Sequence, residues 1–176
     1  MPAILCPNCH KIVSPDADAC IHCGQRKPGL WGATATMRKL GVQLDFPHLI
    51  TIVCGALYVL MLALDPGAIF QTSGFMSILA PSNVASVKAG ATGVYPLYQL
   101  DLWWTPITAI YLHGGLLHIF FNMMWVRQLG PVVADLFGPF RLFTIFTVAG
   151  IVGFLFSIAA GHPLTLGASG SIFGLL

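Results

Sequence analysis

Apolar residues gather in this chain into long blocks without charge, separated by short breaks rich in Gly, Pro and Asp. The first block, FPHLITIVCGALYVLMLAL (46–64), is close to the ~20 residues that cross a hydrocarbon core, and Asp65-Pro66-Gly67 stops it. A second span falls within LLHIFFNMMWVRQLG (116–130), beginning a few residues earlier, and GPVVADLFGPF (130–140) reads as a Gly/Pro-punctuated connector. RLFTIFTVAGIVGFLFSIAAG (141–161) is the third span, HPLTLGA (162–168) a polar turn, and a fourth apolar helix opens at Ser169. Between the first two spans, residues 66–112 are too apolar for a solvated linker. Their YPLYQLDLWWTPI stretch has the Tyr/Trp content of a segment lying at headgroup level. Cys54, inside the first span, reads as a small packing residue.

Composition sharpens this pattern. The chain has 176 residues, 56% of them hydrophobic and 8% charged, with mean hydropathy +0.82. Ordinary soluble domains carry about 25% charged residues. The fold class expected is therefore an all-α polytopic membrane protein, with the lipid bilayer as its first partner. All six acids are Asp and the net charge is only +2, which argues against a nucleic-acid surface.

The N-terminal 27 residues differ from the rest. Cys6-x-x-Cys9 and Cys20-x-x-Cys23 form two knuckles ten residues apart, a spacing that suits one tetrahedral zinc ion. So short a segment buries too little to fold alone, so metal binding would supply its folding free energy. Two disulfides, or two unrelated CxxC pairs, are the alternatives. His10 and His22 adjoin the cysteines and read as bystanders beside a complete set of four. Residues 28–45, with Pro28, Gly29, Gly32, Gly41, Arg38 and Lys39, read as a linker between this zinc ribbon and a membrane domain over 46–176. Zinc thiolates need a reducing compartment, so the N-terminus is expected in the cytosol. Seven of the eight basic residues (Lys11, Arg26, Lys27, Arg38, Lys39, Arg127 and Arg141) then lie on the cytoplasmic side and only Lys88 outside, as the positive-inside rule requires. A bacterial inner membrane is the expected home.

Polar residues inside the apolar blocks carry the chemistry. His118 and Asn122 stand four apart and so share one helix face. Groups this polar are costly against lipid and are expected to face the bundle interior or a water-filled cavity. Ser169 lies in GASGSIFGLL (167–176), at the outer end of its helix and at a depth similar to His118. A serine at a helix N-terminus has a free backbone N–H, which together with His118 and Asn122 can stabilise a tetrahedral oxyanion. Small neighbours at 167, 168 and 170 would let a peptide carbonyl approach. Two plainer readings stand beside this one. Gly170-x-x-x-Gly174 fits a helix-packing motif, and the His–Asn pair can serve as an interhelical hydrogen bond. The soluble hydrolase elbow G-x-S-x-G is not matched, because position 171 is Ser.

Taken together and in order, LHGGLLHIFFNM followed one span later by GASGSIFGLL closely resembles the rhomboid family of intramembrane serine proteases. The resemblance covers roughly residues 98–176, including WWTPITAIYLHGG. It implies a compact bundle of six helices, of which this chain holds the first four, with an aqueous cavity open to the outside. The implied activity is cleavage of transmembrane protein substrates by a Ser-His dyad. Ser169 would be the nucleophile, His118 and Asn122 would line the oxyanion site, and His113 would be structural. Trp104-Thr105 departs from the family's Trp-Arg pair. The dyad histidine belongs on the sixth helix, so it is expected beyond residue 176, and the chain as given should be inactive. A catalytically inactive rhomboid-like adaptor that binds transmembrane helices is the alternative. The ribbon would add a cytosolic partner.

Overall fold

The structure, a computed structural model, describes residues 3–14, 17–28, 45–67 and 78–176. The linker expected over 28–45, with Arg38 and Lys39, lies outside the described residues except at its two ends.

Near the N-terminus, β1 (Ile4–Leu5) pairs antiparallel with β2 (Ile12–Val13), Ile4 opposite Val13. Helix α1 (Phe46–Leu64) follows, then α2 (Asn83–Ala89), α3 (Val94–Gln99), α4 (Thr105–Thr108) with a 3-10 turn at Ala109–Tyr111, α5 (Leu116–Phe137), α6 (Pro139–Ala159) and α7 (Ser169–Phe173). Helices α1 and α6 are each long and apolar enough to cross a membrane. A third candidate combines Thr105–Tyr111 with α5 across an 89° bend. The second span therefore does not simply begin upstream of 116. The chain turns a corner at Leu112-His113-Gly114-Gly115 before entering it.

Each long helix buries one narrow stripe and leaves the rest for lipid. On α1 the stripe is Ile50, Cys54, Tyr58 and Met61, at spacings of three and four. On α6 it is Leu142, Phe146, Gly150, Phe154 and Ile158. Cys54 is fully buried in the main apolar cluster. Asp45 caps α1, its Oδ1 accepting from the His48 N–H at 3.1 Å.

Helix α5 corrects the expected connector at 130–140. It runs through Pro131 to Phe137 rather than stopping at Gly130. Pro131 removes the hydrogen bond to the Arg127 carbonyl and crowds that carbonyl with its ring, yet the helix continues through it. Gly130 lies so close to α1 that a Cβ there would stand 2.7 Å from Pro47 Cγ. Pro47 opens α1, so the last two turns of α5 project beyond the start of that helix.

From residue 78 to the corner at 112 the chain is folded, and threonines staple it. Thr92 and Thr165 exchange both backbone hydrogen bonds (3.0 and 2.6 Å), and Val94 N–H donates to the His162 carbonyl. Thr105 is fully buried; its hydroxyl donates to the Leu102 carbonyl at 2.7 Å and shares a 3.0 Å hydrogen bond with the Thr92 hydroxyl. Thr108 Oγ1 donates to the Gly90 carbonyl at 2.7 Å. These bonds tie the segment to the 162–167 turn that leads into Ser169, while Trp103 and Tyr98 stay exposed, as residues at a membrane interface do.

Candidate active site and four-cysteine cluster

The turn before α7 is built around Gly167, whose φ of +127° disfavours any residue with a side chain. Its N–H donates to the Ala109 carbonyl at 2.9 Å, tying the turn to the corner that precedes α5. The face that a side chain would occupy is filled by the His118 imidazole. A Cβ on Gly167 would stand 2.6 Å from His118 Cε1 and 2.7 Å from Nε2. His118, in the first turn of α5, thus rests on the backbone two residues before Ser169.

Its tautomer follows from a second contact. Gly114 N–H donates to His118 Nδ1 at 3.3 Å. A nitrogen that accepts carries no proton, so in the neutral ring the proton is on Nε2 and points toward the 167 turn. His113, fully buried, stacks edge-on against His118 with ring centroids 5.2 Å apart. Neither His113 nitrogen has a partner among the described residues. Asn122 is buried on the same face as His118, and its side-chain N–H donates to the His118 carbonyl at 2.9 Å. One further N–H remains on that amide.

Ser169 is exposed, at the first position of α7. The packing duty that GASG suggests falls on its neighbours. Ser171 is fully buried against Gly150 of α6, its hydroxyl without a partner among the described residues. Gly170 lies on Gly153, where a Cβ would be 3.7 Å from the Gly153 Cα, and Gly174 meets Ala149. Gly167 is filled by His118, Ala168 is fully buried and Gly170 is spent on helix packing. His162 is exposed, and its backbone bonds to Ser157 and Val94. The sequence pattern carries no local signal for the Gly114 amide or for Gly167 as a seat for His118, since both depend on the corner at 112–115.

The four N-terminal cysteines converge as two copies of one turn. Cys6 N–H donates to the Lys11 carbonyl and His10 N–H to the Cys6 carbonyl; Cys20 N–H donates to the Gln25 carbonyl and Gly24 N–H to the Cys20 carbonyl. His10 (φ 56°) and Gly24 (φ 73°) occupy the same left-handed position, which gives His10 a turn role. The Sγ atoms of Cys6, Cys9, Cys20 and Cys23 lie within 4.8 Å of one another, with Cys6–Cys23 and Cys9–Cys20 both at 3.7 Å. None of the four is in a disulfide, and the two CxxC pairs meet in one cluster rather than standing apart. Zinc–sulfur bonds of ~2.3 Å at tetrahedral angles set sulfurs about 3.8 Å apart, so the set fits such an ion. The Gln25 amide favours the Cys23 thiolate and holds that thiol down to about 6. The Lys11 amide favours the Cys9 thiolate likewise, but burial and hydrogen bonds from Cys23, Cys20 and Cys6 outweigh it and push that thiol up to about 11. Four thiols so close resist common ionisation unless a cation shares their charge.

Comparison with known proteins bears on the membrane part. Residues 101–176 match the family model described as a Rhomboid domain. RHOMBOID-like protein 7 of Arabidopsis thaliana is 32% identical over 110 residues, 61% of this chain and 35% of that protein. The rhomboid protease GluP of Bacillus subtilis is 38% identical over 74 residues, 42% of this chain and 15% of that protein. Inactive RHOMBOID-like protein 8 of Arabidopsis thaliana is 30% identical over 108 residues, 61% of this chain and 31% of that protein. The chain spans about a third or less of the length of these curated relatives. Plant and bacterial proteins both occur among them, so the resemblance supports an integral membrane protein without singling out a bacterial membrane. Over residues 101–176 the chain matches a rhomboid domain, and it is similar to proteins of the rhomboid family.

Proposed function

We propose that this protein is an intramembrane serine endopeptidase that hydrolyses a peptide bond within or beside a substrate's transmembrane helix. The observation that carries the reading is the His118 imidazole seated on the backbone of Gly167, with its Nε2 proton directed at the turn that ends in Ser169. Ser169 Oγ attacks the scissile carbonyl. The negative charge that develops on the carbonyl oxygen is met by the Ser169 N–H, His118 Nε2–H and the second Asn122 side-chain N–H. Such preorganised donors act where charge appears and are each worth ~3–4 kcal/mol of barrier. A serine hydroxyl needs a base beside it. His118 is unsuited, because its Nδ1 already accepts from Gly114 and its Nε2 is the donor. The rhomboid resemblance implies another histidine as that base, completing a Ser-His dyad.

Exposed Ser169 separates this from the packing reading, since Ser171, Gly170 and Gly174 carry the helix contact. In the full-length protein, Ser169→Ala should abolish cleavage of a single-span substrate and labelling by a serine-directed phosphonate. Cleavage retained by that variant would overturn the assignment. The second reading, an adaptor that binds transmembrane helices without cutting them, draws support from the relative named inactive. It expects no phosphonate label on the unmodified protein. We further propose zinc as the ion of the four-cysteine cluster, with a structural role, and a cytoplasmic N-terminus.

A further inference from the structure

The four-cysteine module is not merely tethered to the membrane domain. Helix α5 runs on past Gly130, and β1 packs against that projecting end. Ala3, Ile4, Leu5 and Ile12 face Asp135 and Leu136 across a shared groove. Ile4 Cγ2 lies 3.7 Å from where a Cβ on Gly138 would be, at the corner between α5 and α6. Arg141 Nη1 donates to the Leu5 carbonyl at 3.2 Å, across 136 residues of sequence. A cation in the first turn of α6 is disfavoured by the helix dipole, so the hydrogen bond to β1 supplies a reason for Arg141 to stand there.

We propose that the module is a metal-dependent clamp on the α5–α6 corner, which makes metal loading and the order of that corner reciprocally dependent. This rests on the metal reading of the four cysteines. Ile4 and Val13 share their small core with Cys6 and Cys20, so β1 holds its shape only while the thiolates are gathered. A module this small owes its folding to its ion. When the ion leaves, β1 frays, and the Leu5 carbonyl and the Ile4 side chain are withdrawn from Arg141 and Gly138. Linkage then requires the docked corner to tighten the metal in turn.

Hydrogen–deuterium exchange on the full-length protein in lipid nanodiscs, zinc-loaded and after chelation, reads both sides of the clamp. Chelation should speed exchange in residues 3–14 and also in 134–143, the latter at least severalfold. In Arg141→Ala, and in Leu136→Ser at an exposed position whose folding is not at stake, zinc-loaded 3–14 should stay protected. In both variants 134–143 should already exchange at the chelated rate, and zinc should be lost to a competing chelator severalfold more easily. Deprotection of 3–14 with 134–143 unchanged would overturn the clamp and leave the metal reading intact. Failure to retain zinc, with no change in either segment, would overturn the metal reading and the clamp with it.

Discussion

The imidazole of His118 occupies the space beside Gly167 that any side chain there would need, 2.6 to 2.7 Å from the nearest ring atoms. Gly167→Ala should therefore do two kinds of damage. Its φ of +127° costs a non-glycine residue ~1–3 kcal/mol, and its methyl group would push His118 off the turn. We expect turnover of a transmembrane substrate to fall at least tenfold, with phosphonate labelling of Ser169 slowed in parallel. Equal turnover in the variant and the parent would show that the seat of His118 is irrelevant to catalysis.

His118→Ala and Asn122→Ala each remove one proposed donor to the developing oxyanion. Loss of such a donor lowers kcat by roughly 10²–10³. Substrate docking should change little, because the groups act on the transition state. Single-turnover kinetics beside binding of an uncleavable substrate will check this. A loss confined to binding would reassign both residues to substrate recognition.

Ser171→Ala makes the complementary test. The Ser171 hydroxyl is buried against Gly150 without a partner among the described residues, and an unpaired buried hydroxyl costs stability. The alanine should leave activity within about twofold and stability equal or higher. The opposite change, Gly150→Val, forces a branched side chain into Ser171 and Ile110 and should destabilise by ~1–3 kcal/mol or more, read as a lower midpoint for thermal unfolding in detergent.

Cys20→Ser removes one of the four proposed zinc ligands. Zinc bound per chain, measured by atomic emission after gel filtration, should fall from one toward zero. Mild acidification of the parent should have the same effect, because protons compete with the ion for thiolates. Zinc retained by the serine variant would indicate that the four thiols do not hold the ion together.

Much of the architecture is legible along the chain because lipid imposes a one-dimensional rule. A spanning segment must satisfy its own backbone and hide no charge, so 46–64 coincides with α1 and 141–161 nearly coincides with α6. The two CxxC turns are equally local, since each needs only a few residues to gather its thiols, and the fourth helix opens at Ser169 as expected. Residues 130–137 stay helical despite Pro131 because close packing of Gly130 on Pro47 offsets the proline's cost, which no local pattern records. What the tertiary structure alone decided are the contacts between distant segments. Gly167 meets His118, Arg141 meets Leu5, Thr92 meets Thr165, and Ser171 rather than Ser169 turns toward Gly150. Periodicity records which face of a helix is apolar, but the partner opposite each small residue depends on how three helices cross, and that is set by close packing of all of them at once.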